Sequence, residues 1–214
     1  EDLPSAAKGY VNQIISSGKT LLTIINDVLD FSKIEAGKMD IEEEEYEPMS
    51  LINDVANIIN TRIGEKDVEL ILDIAPGLPR KLIGDINRLK QVIINLSNNA
   101  VKFTRTGQVM LKVGFKRTKR DEIRLEVSVQ DTGIGIKKED IQKLFMAFQQ
   151  LDSKRNRNIE GTGLGLAISN KIITLMGGQI GVESEYGKGS TFSFWVSQKV
   201  FDEKPSVVVK DKEK

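Results

Sequence analysis

GTGLGLAI, residues 161–168, sets glycine at every second position three times and then turns apolar. Such glycine density marks a backbone that must approach a ligand closely. A dinucleotide cradle needs G-x-G-x-x-G directly after a strand. Here the third glycine, Gly165, falls one residue early, and the preceding QQLDSKRNRNIE (149–160) is too polar for the required strand. A phosphate loop of the G-x-x-x-x-G-K-[ST] type fails on GKGST (187–191), whose upstream glycine position is Val182 and whose continuation, TFSFWV, reads as a strand. What remains is a helix start rich in free backbone N–H groups, which favours an anion.

Two further motifs surround it. DTGIG (131–135) ends a strand with a carboxylate and two spaced glycines. Asp131 can accept a hydrogen bond from an exocyclic amine, and Gly133 and Gly135 let backbone pass close to a flat ring. Taken alone, D-x-G-x-G is more often just a turn. NLSNNAVKF (95–103) carries Asn95, Asn99 and Lys102 at i, i+4 and i+7, so one helix face presents two amides and an ammonium. Side-chain carbonyl oxygens suit Mg²⁺, and the ammonium can meet phosphate charge. A solvated polar face is the competing reading.

The rest of the chain frames these motifs. Residues 5–35 repeat apolar positions at Val11, Ile14, Leu21, Ile25 and Val28, with Ile15, Leu22 and Leu29 beside them, as in a bundle or coiled-coil helix. About 30 residues at ~1.5 Å rise make roughly 45 Å, longer than a small domain can cover. Gly37 and Pro48 bound a segment whose residues 39–46 can form a strand, its glutamates a solvated edge. From Met49 helices and strands alternate: helix 49–64, strand 67–74, helix 85–103, strands 108–115 and 122–131, a short helix at 137–147 and a helix at 163–176. GGQIGVESE and STFSFWVSQKV supply two last strands, and the charged segment 202–214 reads as a disordered tail. Mostly antiparallel strands with three helices predict an α/β two-layer sandwich preceded by a long helix.

Composition excludes several function classes. Among 214 residues, Lys plus Arg and Asp plus Glu both number 31, so net charge argues for no nucleic-acid partner. With no Cys and no His, disulfides, thiolate sites and histidine-based catalysis are impossible within these residues. No apolar run approaches the ~20 residues of a membrane span, and no leader opens the chain. This predicts no membrane contact and a cytoplasmic setting for these residues; membrane attachment of a longer parent stays open. The opening residues read as mid-protein sequence.

In this order, the motifs resemble the catalytic domain of sensor histidine kinases, within the ATPase superfamily shared with Hsp90, DNA gyrase and MutL. NLSNNAVKF resembles the N box, DTGIG the G1 box, LFMAF (144–148) the F box and GTGLGL the G2 box. LLTIINDVLDFSKIEAGK (21–38) is similar to the second dimerisation helix of hybrid-type kinases. The resemblance implies a Bergerat-type fold in three parts: residues 1–38 as that helix, 39–201 as the ATP-binding domain and 202–214 as the tail. It implies that Asp131 bonds the adenine amino group, Asn99 with Asn95 holds Mg²⁺, and Lys102 faces a phosphate. Phe103 packs near the adenine or simply in the core. Gly161, Gly163 and Gly165 give main-chain donors to phosphate, and Thr162, Leu164, Leu166, Gly133, Gly135 and Thr191 lie along the ATP site, with 149–160 as a lid. The implied partners are a second copy through residues 5–35 and a response-regulator receiver domain. The family's phosphoacceptor histidine is absent, which reads as truncation of a longer protein. Two other functions compete: a nucleotide-independent regulatory module, and an ATP-hydrolysing clamp, for which Asn95 and Asn99 stand where an acid is expected.

Overall fold

The computed structural model describes residues 5–148 and 163–206. Gly161, Thr162, the lid expected at 149–160 and the end of the tail lie outside the described residues. A single helix, α1 (Ser5–Glu35), forms over the span its periodicity predicts. It is followed by β1 (Glu44–Tyr46), α2 (Pro48–Ile63), β2 (Val68–Ile74), β3 (Pro79–Gly84), α3 (Ile86–Phe103), β4 (Gly107–Lys119) and β5 (Glu122–Asp131). Then come the short α4 (Lys138–Ile141), α5 (Gly165–Leu175), β6 (Gln179–Glu185) and β7 (Gly189–Pro205).

Seven strands make one sheet in the order β1-β3-β7-β5-β4-β2, with β6 on another stretch of β7. Only β2 and β4 run parallel among these pairs. The 17-residue β7 organises the sheet. One edge holds β5 over Ser190–Lys199; the other holds β6 over Gly189–Trp195 and then β3 from Lys199 to Pro205. Helices α2, α3 and α5 cover one face through a single buried cluster that includes Val55, Leu89, Leu96, Ile172, Val127 and Phe194. This is the mixed, mostly antiparallel two-layer sandwich expected.

Three local expectations are corrected. β3 reads in the sequence as punctuation around APGLP, because a six-residue segment with Pro79, Arg80 and Lys81 carries little strand propensity. It forms because β7 offers it a partner edge. β7 itself continues past Phe201, with Asp202 opposite Lys81 and Pro205 opposite Pro79, so the segment from 202 is not all tail. The helix expected at 137–147 holds only four residues. Beyond it, i→i+3 bonds such as Met146 N–H to Lys143 C=O make tight turns instead.

α3 sits where it does because its N-terminus is tied and its apolar face is buried. Asp85, 4% exposed, caps it by accepting from Arg88 N–H at 2.9 Å, and its other oxygen accepts from Glu42 N–H at 3.0 Å. Leu89, Val92, Ile93, Leu96 and Ala100 of its apolar face are buried. That orientation turns Asn95, Asn99 and Lys102 away from the core, where each is half-buried.

Candidate functional site

α3 touches both glycine motifs. On one side, Asn95 Nδ2 donates to Ser169 Oγ on α5 at 2.8 Å. This fixes its amide so that Oδ1 lies against Gly165, where any β-carbon would collide with it. On the other side, the Phe103 carbonyl accepts from Ile134 N–H at 3.4 Å and leaves no room for a side chain at Gly133. Asn99 makes no hydrogen bond to a described residue, which leaves its carbonyl oxygen available. Lys102 Nζ lies 5.1 Å from the half-buried Phe103 ring.

Asp131 ends β5 and is 6% exposed. Its Oδ1 accepts from Gly133 N–H at 2.8 Å. Burial pushes its carboxyl above the usual carboxylate value, while the backbone N–H groups of Gly133 and Ser190 pull the other way. A carboxylate kept in such a place at a solvation cost is a functional-site candidate.

The glycines of DTGIG serve the protein's own backbone. Gly133 packs on the Phe103 carbonyl; Gly135, at φ +65°, packs on the Glu185 carbonyl. The turn is held further by Gly187 N–H to the Ile134 carbonyl at 2.8 Å and Ile136 N–H to Ser184 Oγ at 2.8 Å. They bring the turn against α3 and the β6–β7 connection.

At the third motif, α5 starts at Gly165 with Leu164 in the capping position and no side-chain cap. The Leu164 side chain thus offers its first N–H groups no acceptor. Gly163 adopts φ +73°. Leu164 is 2% exposed and Leu166 packs against the core, so their side chains anchor the helix start.

Thr191 has its register partner on β5. On β7 it pairs opposite Gln130, and Ser190 pairs opposite Asp131. Side chains alternate along a strand, so Ser190 shares Asp131's face and Thr191 points from the other. Ser190, 7% exposed and within 2.9 Å of Ser184 Oγ, is the residue sequence reading missed. Counting back along β7 in steps of two from its buried Phe192 would have found it. Ser169, which orients Asn95, was missed for want of any sequence signal. A depression of about 320 Å³ opens beside the turn between Phe103, Arg105, Thr132, Ile134 and Tyr186. A larger one, about 460 Å³, lies at Glu47, Arg80 and Lys204, away from the motifs.

Residues 84–200 match the family model described as histidine kinase-, DNA gyrase B- and HSP90-like ATPase. The chain belongs to this ATPase family. Hybrid signal transduction histidine kinase B of Dictyostelium discoideum is 41% identical over 194 residues, 91% of this chain and 10% of the relative. Sensor histidine kinase GacS of Pseudomonas protegens is 43% identical over 188 residues, 88% of this chain and 20% of the relative. Signal transduction histidine-protein kinase BarA of Escherichia coli is 39% identical over 208 residues, 97% of this chain and 22% of the relative. The chain thus spans about a fifth or less of these curated relatives. Among solved structures, full-length ShkA in complex with AMPPNP superposes with a TM-score of 0.76 at 32% identity, covering 94% of this chain and 41% of that one. These relatives are sensor histidine kinases, so the chain is most similar here to that branch of the ATPase family.

Proposed function

We propose that the chain binds ATP with Mg²⁺ and, within its parent protein, passes the γ-phosphoryl group to a histidine outside these 214 residues. The observation that carries this is the position of α3, whose Asn95 meets the start of α5 and whose Phe103 carbonyl meets the Asp131 turn. One helix thereby brings an amide pair, a buried carboxylate and an uncapped helix start into one neighbourhood. Asp131 accepts from the adenine amino group. The first N–H groups of α5 and Lys102 bind phosphate oxygens, where the helix dipole adds to the attraction.

The chemistry of the donors fits the metal: Asn99 Oδ1 is unspent, and Asn95 Oδ1 is oriented by the bond its Nδ2 makes to Ser169. Bound there, Mg²⁺ would neutralise charge on the phosphates. Phosphoryl transfer depends chiefly on positioning and charge neutralisation, so the site needs no general base of its own. Transfer breaks the bond from the γ-phosphorus to its bridging oxygen, forms a nitrogen–phosphorus bond and leaves ADP.

Isothermal titration with a non-hydrolysable ATP analogue and Mg²⁺ tests the reading. Binding tighter than millimolar is expected, and Asn99→Ala should weaken it about tenfold in Mg²⁺ while changing metal-free binding little. No binding above background would sink the proposal.

The relatives' hybrid character supports a receiver domain as the phosphoryl acceptor's downstream partner. No helix among the described residues is long and apolar enough to cross a membrane. A second copy is the proposed partner of α1, where Ile14 (71% exposed), Leu21 and Leu22 form an open apolar seam. Sedimentation should show a concentration-dependent dimer that Ile14→Lys with Leu21→Lys abolishes; a monomer at every concentration would contradict the pairing.

A further inference from the structure

Helix α1 meets α3 through a polar clasp, beside a second ion pair from Glu35 to Lys171 of α5 at 3.7 Å. Asp30 Oδ2 accepts from Gln91 Nε2 at 2.7 Å and pairs with Arg88 Nη1 at 3.3 Å, and Arg88 Nη1 also donates to Gln91 Oε1 at 2.9 Å. The clasp is mostly sheltered, with side-chain exposures of 17% for Asp30 and 24% for Arg88. Arg88 and Gln91 belong to α3, the helix that carries Asn95 and Asn99. The clasp therefore sets the height and rotation of α1 against the N box.

The next residue on α1, Phe31, meets Phe148 edge to face, with ring centroids 5.7 Å apart and planes at 73°. Phe148 is unusual. Among the described residues it alone outside glycine has positive φ, at 63°. A bulky side chain holds the left-handed region only when its surroundings impose it. Phe148 is also 66% exposed, so core burial does not impose it. Two contacts do: the Phe31 ring, and the bond from Phe148 N–H to the Gly163 carbonyl at 3.1 Å. Gly163 is the glycine at φ +73° two residues before α5.

We infer that Phe31, on the helix outside the nucleotide-binding domain, is a positioning residue for the phosphate-binding turn. Its ring holds Phe148 in a left-handed conformation, and Phe148 in turn holds Gly163 through its N–H. Without Phe31 the Phe148 backbone relaxes to an ordinary conformation, the Gly163 carbonyl loses its donor, and the turn must be ordered again at the expense of binding. The position of α1, set by Asp30, is thereby coupled to nucleotide affinity. The inference rests on the nucleotide-binding reading above.

Titration of the whole chain with the same ATP analogue and Mg²⁺ tests it. Phe31→Ala should lower affinity about 3- to 10-fold, the value of an aromatic pair, and Phe31→Tyr should restore it. The decisive comparison uses Phe148→Gly, because glycine adopts positive φ without support. In that background Phe31→Ala should have no further effect. An unchanged affinity in Phe31→Ala, or the same loss in both backgrounds, would overturn the inference while leaving the nucleotide-binding reading standing. No binding by the unaltered chain would overturn both. Should Phe31→Ala impair folding, Phe31→Leu keeps the apolar bulk without the ring edge. It should bind between Ala and Phe, and wild-type affinity there would overturn the coupling.

Discussion

Asp131→Asn is expected to lower affinity for the ATP analogue roughly 10- to 100-fold, the value of a hydrogen bond to a buried charge. The amide cannot turn to suit adenine. Gly133 N–H already bonds Oδ1 at 2.8 Å, and Ser190 adds a second backbone donor. The asparagine must offer its oxygen to those donors, which leaves its NH₂ facing the adenine amino group, donor against donor. Wild-type affinity in a folded Asp131→Asn chain would exclude Asp131 as the adenine ligand.

The same residue should set a pH dependence. Burial raises the Asp131 carboxyl above its ordinary value, so the folded chain holds this proton more tightly than the unfolded one. The resulting stability is complete below the ordinary carboxylate value and is lost as pH climbs through the raised one. Affinity follows the opposite course, because the ionised carboxylate is the stronger acceptor. Lowering the pH should therefore weaken nucleotide binding by wild type while its melting temperature gains on that of Asp131→Asn. Parallel melting curves across that range would show that Asp131 does not titrate as burial demands.

Gly163→Val is expected to cost a further roughly 10- to 100-fold in affinity by a different route, through the backbone. At φ +73° a β-branched side chain is strongly disfavoured, so the turn abandons the conformation that presents its backbone to phosphate. The fold should survive, because the anchors of α5 are Leu164, Ile168, Ile172 and Ile173, all at most 2% exposed and unaltered. Gly163→Ala should fall between the two, since its single methyl strains the same φ less. Melting temperatures should stay close across the series. A Gly163→Val chain that folds and binds like wild type would remove the turn from the phosphate site.

Much of this arrangement is legible in the sequence wherever the information is local. The 3.6-residue period of 85–103 yields both the buried face of α3 and the opposite row of Asn95, Asn99 and Lys102. The glycine spacing of 161–168 and its polar upstream segment suffice to exclude a dinucleotide cradle. Contacts across the sheet leave no such trace. β3 forms only because the far end of β7 gives it an edge, and its own residues do not ask for a strand. Thr191 and Ser190 are adjacent and chemically alike, and only the register against β5 decides which one faces Asp131. Gly133 and Gly135 advertise a close approach without naming what approaches. That neighbour is the protein's own backbone at Phe103 and Glu185.

By itself the sequence determined most of the elements, the sandwich class, the glycine-rich start of α5 and the short set of residues able to meet a nucleotide. Each follows from side-chain type and spacing along one segment. Only the tertiary structure decided how those segments meet: Asn95 turned by Ser169, Ser190 in place of Thr191, and Phe148 held left-handed between Phe31 and Gly163. These depend on residues 15 to 117 positions apart or on strand register, and no local propensity encodes a distance across the fold.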